Sequence, residues 1–212
     1  VHIRQQLSAL PNESALKQST GDVINKLGKF RSILEKKLAS KLTSTINIYP
    51  TGYAIIDLSA GISEQTISAI AQTLSGEMHP PRSEKTANLY RAIYSSDSQS
   101  KFSLAGLIFE IIAGNKMLVY RETRAIEKPV QLVKNSPILW DKRFLVECSE
   151  NLTIRPLGSD GLAQVKKYAP TLLRNTPPAR ILRTIPSLWL LEELINVPHI
   201  GYMKENSSVQ TI

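Results

Sequence analysis

Between Pro186 and Pro198 the chain reads Ser187–Leu190, then Glu192–Glu193, then Leu194–Val197: two short apolar runs around a polar pair. Runs of this length and type, joined by a turn, predict a β-hairpin. Proline donates no amide hydrogen, so the two prolines bound it. Just upstream, Arg180 and Arg183 are three residues apart and share a helix face, which Pro186 then ends. The last part of the chain is therefore expected to close an antiparallel sheet behind a short helix.

Earlier segments alternate between the two periodicities. Val23, Leu27, Phe30, Leu34 and Leu38 recur at spacings of four and three, which predicts one long or bent helix over 14–44. Ile46–Tyr49, Pro50-Thr51-Gly52 and Tyr53–Leu58 read as strand, turn and strand. Ser63–Leu74 reads as a helix with Gly76 as its C-terminal cap. Pro80-Pro81 breaks the chain, and a second helix runs from Ser83 to about Tyr94. The serine-rich stretch 95–100 is the expected domain boundary, giving domains 1–100 and 101–212. Beyond it strands dominate: Leu107–Ile112 and Met117–Tyr120 as a hairpin, then Ile138–Trp140, Phe144–Cys148 and Leu152–Ile154. Asp160–Tyr168 and Pro178–Arg183 read as short helices. The expected class is α+β: a mainly helical N-terminal domain, then a small antiparallel, barrel-like β domain with two short helices.

Charge narrows the partners. The 212 residues carry a formal charge of +8, and the sequence pI is about 9.6. Residues 17–41 hold seven basic and two acidic side chains, and residues 162–191 hold five basic and no acidic ones, so each zone is +5. Two separated basic zones suit an extended polyanion such as RNA. Cys148 is alone, which rules out an intrachain disulfide and points to a reducing compartment, here the cytoplasm. The histidines at 2, 79 and 199 lack metal-ligand spacing. No apolar run approaches the roughly 20 residues of a membrane helix, and residues 1–15 have no signal-peptide apolar core. The sequence contains no Gly-x-Gly-x-x-Gly, no Walker-type Gly-Lys-Ser and no nucleophile elbow. Glu192 and Glu193 are adjacent, so on a strand they point apart and are no acid–base pair.

Five motifs occur in a telling order. They are Pro80-Pro81-Arg82-Ser83 before the helix carrying Leu89, Tyr90 and Ile93; Phe102–Gly106 with Tyr120-Arg121-Glu122; Trp140-Asp141-Lys142-Arg143-Phe144; Ile154–Gly158; and Pro186-Ser187-Leu188-Trp189 with Val197-Pro198-His199-Ile200-Gly201-Tyr202. As an ordered set they resemble the carboxy-terminal region of the tRNA(Ile)-lysidine synthases. One departure is Leu190-Leu191, where that family more often carries Asp-Gly. The resemblance implies a parent ligase that uses ATP to join lysine to cytidine 34 of an isoleucine tRNA. It places ATP and magnesium in a catalytic domain with a Ser-Gly-Gly-x-Asp-Ser loop, a stretch that does not occur in these 212 residues. It implies tRNA(Ile) as the partner here, lysine and ATP as partners of the other domain only, no cofactor or catalytic residue in this chain, and leaves a homodimer open. A non-enzymatic RNA-binding or protein-interaction module of the same ancestry is the alternative.

The expected RNA contacts are Arg82, beside a helix N-terminus whose dipole favours an anion, with Lys85 and Arg91 on the same helix; Lys36 and Lys37 in the first basic zone; Arg121 at the end of the first hairpin; and Arg180 with Arg183. Trp140 and Trp189 lie in strand patterns and are expected in the core rather than stacked on bases. His199 is expected to be structural, and Cys148 an inert filler.

Overall fold

The structure is a computed structural model that describes residues 23, 25–29, 32, 33, 36, 45–95 and 100–204. It divides into two compact units, 1–44 and 45–212. In the first, the described residues are helical and exposed, Lys36 among them. Val23 and Leu27, expected on an inward face, are 52% and 63% exposed. The other stripe residues Phe30, Leu34 and Leu38, and Lys37, lie outside the described residues.

The second unit opens with β1 (Ile46–Tyr49) and β2 (Tyr53–Asp57). Gly52 turns the chain between them at φ +79, donating its amide to the Tyr49 carbonyl at 2.9 Å. Helices α1 (Glu64–Ser75) and α2 (Ser83–Ser95) follow. The Ser63 hydroxyl caps α1 by accepting from the Thr66 amide, and Gly76 ends it in the left-handed conformation. Then come β3 (Lys101–Leu104), β4 (Leu107–Ile112) and β5 (Lys116–Arg121). All five strands form one antiparallel sheet in the order β1-β2-β5-β4-β3. Strands from both sides of the 95–100 stretch thus share one sheet, and that stretch links α2 to β3 inside the second unit. Local patterning cannot show this, because the β2–β5 pairing joins residues about sixty positions apart, such as Ala54 and Val119.

Alternation along these strands sets two faces. Ala54, Ile56, Phe109, Met117 and Val119 are fully buried on the face that takes α1 and α2, with Ile67, Ile70, Leu74, Leu89 and Ile93. On the opposite face Tyr53, Ile55, Ile108, Leu118 and Tyr120 gather around Ile181.

A second sheet is built from β6 (Val130–Gln131), β9 (Thr153–Pro156), β10 (Pro186–Leu190), β11 (Glu193–Val197) and β12 (Tyr202–Met203), in the order β12-β11-β10-β9-β6. It is open: β12 and β6 are its two edges, so the barrel-like closure expected from sequence does not form. β7 (Ile138–Trp140) and β8 (Phe144–Val146) pair only with each other and do not continue the sheet. Instead they cover one side of it, where Trp140, Cys148, Ile154, Leu188 and Ile195 form a core. α3 (Gly158–Tyr168) and α4 (Ala179–Leu182) belong to the other side, with Leu162, Val165, Leu182, Trp189 and Val197. Leu190 pairs with Glu193, so the β10–β11 turn is Leu191–Glu192, one residue earlier than expected. Leu191 takes φ +54, which strand twist demands of a two-residue loop. A leucine there costs roughly 1–2 kcal/mol, so the tight turn survives without the family's Asp-Gly, at some strain. No described helix is long and apolar enough to cross a membrane.

The β7–β8 tip locks the two sheets together. Asp141, 2% exposed, accepts from Arg121 Nε at 3.2 Å and Nη2 at 2.9 Å, and from Arg143 Nε at 2.9 Å. The Glu127 amide donates to it at 3.1 Å, and its own amide donates to Glu127 Oε2 at 2.6 Å. Arg121 also donates to the Ala125 carbonyl at 2.7 Å, and Arg143 reaches the Gly52 carbonyl at 3.4 Å. The next residue, Lys142, pairs with Glu77 at 2.8 Å, and its backbone lies where a side chain at Gly76 would have to go. A buried carboxylate between two arginines is stable only while all partners remain. Asp141→Asn, which strands two buried guanidinium groups, is expected to destabilise the fold by about 3–5 kcal/mol, read as a lowered urea midpoint; an unchanged midpoint would show the tip to be peripheral.

Candidate nucleic-acid interface

Among the exposed cations of the described residues, two groups lie at helices, while Lys116, Lys128 and Lys134 are exposed elsewhere. The first belongs to α2. Pro80-Pro81 forces the break before it, and the Arg82 carbonyl accepts the Thr86 amide at 3.2 Å, so Arg82 stands at the helix start. Its side chain is exposed and makes no ion pair among the described residues; Glu77, one acid near it in sequence, is held by Lys142 instead. Lys85 is exposed one turn on and lines a groove of about 520 Å³ with Asn88, Phe102, Ala105, Gly106 and Glu122. Arg91 is exposed farther along and donates to the Asn88 side chain. Arg82 and Lys85 thus lie three residues apart near the dipole-positive end of α2, and Arg91 lies farther along the helix.

The second group surrounds the C-terminal helices. Lys166 and Lys167 are exposed in the last turn of α3, and Arg174 and Arg183 are exposed beyond it. Arg180 is 40% exposed and forms an ion pair through Nε with Glu110 Oε2 at 3.0 Å. Arg155 lies over the Trp189 ring at 3.7 Å and pairs with Glu192 at 3.3 Å.

Arg121 is the expected contact that the structure reassigns. Its side chain is 7% exposed and is spent on Asp141 and on the Ala125 and Gly106 carbonyls. A guanidinium so engaged holds the fold and has little left to offer a phosphate. Lys36 is exposed in the first unit, and Lys37 is outside the described residues.

Residues weighed as possible chemistry fall into structural places. Trp140 and Trp189 are 0% and 1% exposed, in the core as expected. The Cys148 thiol is buried, donates to the Glu150 carbonyl at 2.8 Å and is pushed up in pKa by that burial, which disfavours the thiolate. Glu193 pairs with Lys204 while Glu192 faces Arg155, so the two carboxylates diverge. No group of three potential metal ligands occurs among the described residues. Sequence reasoning passed over Lys101, Glu110 and Arg155; the one available signal was a carboxylate in the otherwise apolar run Leu107-Ile108-Phe109-Glu110-Ile111-Ile112.

Comparison with known proteins finds distant relatives. The chain is 25% identical over 217 residues to the tRNA(Ile)-lysidine synthase of Rickettsia felis, an alignment that covers 94% of the chain and 49% of that relative. The chain is a distant homologue of the tRNA(Ile)-lysidine synthases. The lysidine synthases of Rickettsia conorii and Rickettsia bellii are 25% and 26% identical to it, across 88% and 85% of the chain. The chain spans just under half the length of these lysidine synthases. No family model and no solved structure matches it. Of the stretches that resemble lysidine synthases, Trp140–Phe144 is the buried tip between the sheets, whereas Arg82-Ser83 opens an exposed helix end.

His199 has a definite role at the joint between the sheets. Its ring packs edge-on against Phe144, with centroids 5.1 Å apart, and its buried Nδ1 has no hydrogen-bond partner. Burial lowers its pKa, the nearby Arg143 cation lowers it further, and a hydrogen bond with the Pro50 carbonyl opposes both. The folded state thus prefers the neutral ring. Its pKa when folded lies below the unfolded value of about 6.5, so this stability is complete above that value and is lost as pH falls through the folded pKa. Melting temperatures should therefore fall below about pH 6.5 with a component that His199→Gln removes; an identical pH profile in the variant would place the titration elsewhere.

Proposed function

We propose that this chain is a tRNA-holding part of a tRNA(Ile)-lysidine synthase. The observation that carries the reading is an alignment covering nearly the whole chain, joined to a net charge of +8 and to cations exposed at the start of α2 and around the C-terminal helices. In the parent enzyme, lysine is joined to cytidine 34 of the isoleucine tRNA at the expense of ATP. These 212 residues contain no Ser-Gly-Gly-x-Asp-Ser loop, so the chain's contribution is to grip the tRNA body. Gripping is catalytic work, because a misplaced cytidine loses the proximity that makes the reaction fast. A double-stranded RNA stem hides its base edges in a deep major groove, so recognition rests on phosphate position and helix shape. Exposed lysines and arginines on rigid helix ends meet that need. Arg82 and Lys85 form one contact and Arg180 with Arg183 the other, Arg82 assisted by the α2 dipole. Lys36 adds charge from the first unit.

Two tethered contacts raise each other's effective concentration. Arg82→Ala/Lys85→Ala and Arg180→Ala/Arg183→Ala should each weaken tRNA binding measurably at fixed salt. The fourfold variant should lose more than either pair alone, with circular dichroism confirming the fold. A folded fourfold variant that binds as tightly as the parent would move the interface elsewhere.

A further inference from the structure

Glu110 is a carboxylate in the middle of β4, 9% exposed, among Ile108, Ile112 and Leu118 on one face of the first sheet. A buried carboxylate persists only if its charge is matched. Three groups match it. Arg180 Nε stands 3.0 Å from Oε2, an ion pair without the alignment of a hydrogen bond. Lys101 Nζ stands 3.5 Å from Oε1. The Tyr120 hydroxyl donates to Oε2 at 3.1 Å. Burial and the neighbouring carboxylate push the Tyr120 pKa up to about 12, so it remains a donor.

The two cations differ from the buried arginines of the β7–β8 tip. Lys101 is 56% exposed and Arg180 40% exposed, so both extend from the carboxylate into solvent. Arg180 is steadied further by the Tyr120 ring, 5.9 Å from its guanidinium carbon. Two cations against one carboxylate leave one net positive charge, presented outward, with the negative charge at the bottom. The three residues come from β3, β4 and α4, so the cluster spans the first sheet and the C-terminal helices.

We propose that Glu110 is a positioning residue that sets Arg180 and Lys101 as a two-armed clasp for one backbone phosphate of the bound tRNA. This rests on the tRNA-holding function above and deepens its Arg180 contact, to which it adds Lys101. Free lysine and arginine side chains sample many rotamers, and fixing one on binding costs conformational entropy. A buried carboxylate that holds both arms in advance removes part of that cost. The clasp makes a prediction opposite in sign to simple electrostatics. Deleting a negative charge from an RNA-binding surface ordinarily tightens binding. Here it weakens binding, because both arms lose their anchor.

The test is a tRNA-binding titration of the full chain across several salt concentrations, with melting curves for each variant. Arg180→Ala and Lys101→Ala should each flatten the log–log salt dependence by roughly 0.7–0.9. Glu110→Gln, which keeps an oxygen for Tyr120 but not the charge, should weaken binding roughly two- to tenfold with the slope unchanged. That loss should shrink when Arg180→Ala is already present. If Glu110→Gln does not fold, Arg180→Lys reads the same point, since it keeps the charge but not the held guanidinium, and should bind more weakly at unchanged slope. Folded Glu110→Gln protein that binds as tightly as the parent, or more tightly, overturns the clasp while leaving the tRNA-holding function intact. Absence of tRNA binding by the parent chain overturns both.

Discussion

Asp141 between Arg121 and Arg143 is the interaction on which the rest of the second unit depends. Arg121 ends the central-sheet strand β5, Arg143 reaches the β1–β2 turn at Gly52, and the backbone beside Asp141 exchanges hydrogen bonds with Glu127. The following lysine ties the end of α1. One three-residue tip thus joins the first sheet, its covering helix and the hairpin that covers the second sheet. Buried ion pairs contribute little net stability against an apolar alternative of the same shape, but they tolerate few wrong geometries. The pairing therefore explains how two open sheets with separate cores come to have a defined mutual position.

The same accounting divides the chain's basic residues by function. Arg121 and Arg143 are buried and matched, and hold the fold. Arg82, Lys85, Arg183, Lys166 and Lys167 are exposed at or near helix ends, and the proposed phosphate contacts are drawn from this class. Arg180 and Lys101 stand between these classes, anchored at one end and exposed at the other. Net charge alone, +8 over the chain, does not separate the three classes; burial and partners do.

Much of this was legible in the sequence, and the failures have physical causes. Strands and helices of the second unit follow from alternation, from Gly76 and from the prolines at 80, 81 and 186, all local signals. The division at 95–100 misleads because the β2–β5 pairing is non-local, and no local pattern encodes which strand a strand will choose. Barrel closure misleads for the same reason: β6 and β12 carry no mark that they are edges. Arg121 looked like a contact because a cation after an aromatic at a hairpin end is usually solvated. Its partner Asp141 lies twenty residues on, and only the folded chain brings them together. Trp189 was readable as core because Leu188 and Leu190 flank it, and Trp140 because it ends the apolar run Ile138-Leu139. The resemblance to the lysidine synthases was readable because its motifs stand in order along the chain, and the alignment at 25% identity covers 94% of it.

The central claim is that this chain holds tRNA through phosphates, and the dependence of tRNA affinity on salt measures it most directly. Each neutralised phosphate contributes roughly 0.7–0.9 to the steepness of the log–log plot, single strands giving the lower value and duplex DNA, whose value is borrowed here for RNA stems, the higher. The two cation groups predict a plot steep enough to require several phosphates, with binding strong at low salt and much weaker at physiological salt. A flat plot, or no tRNA binding at low salt by the folded chain, would contradict the account.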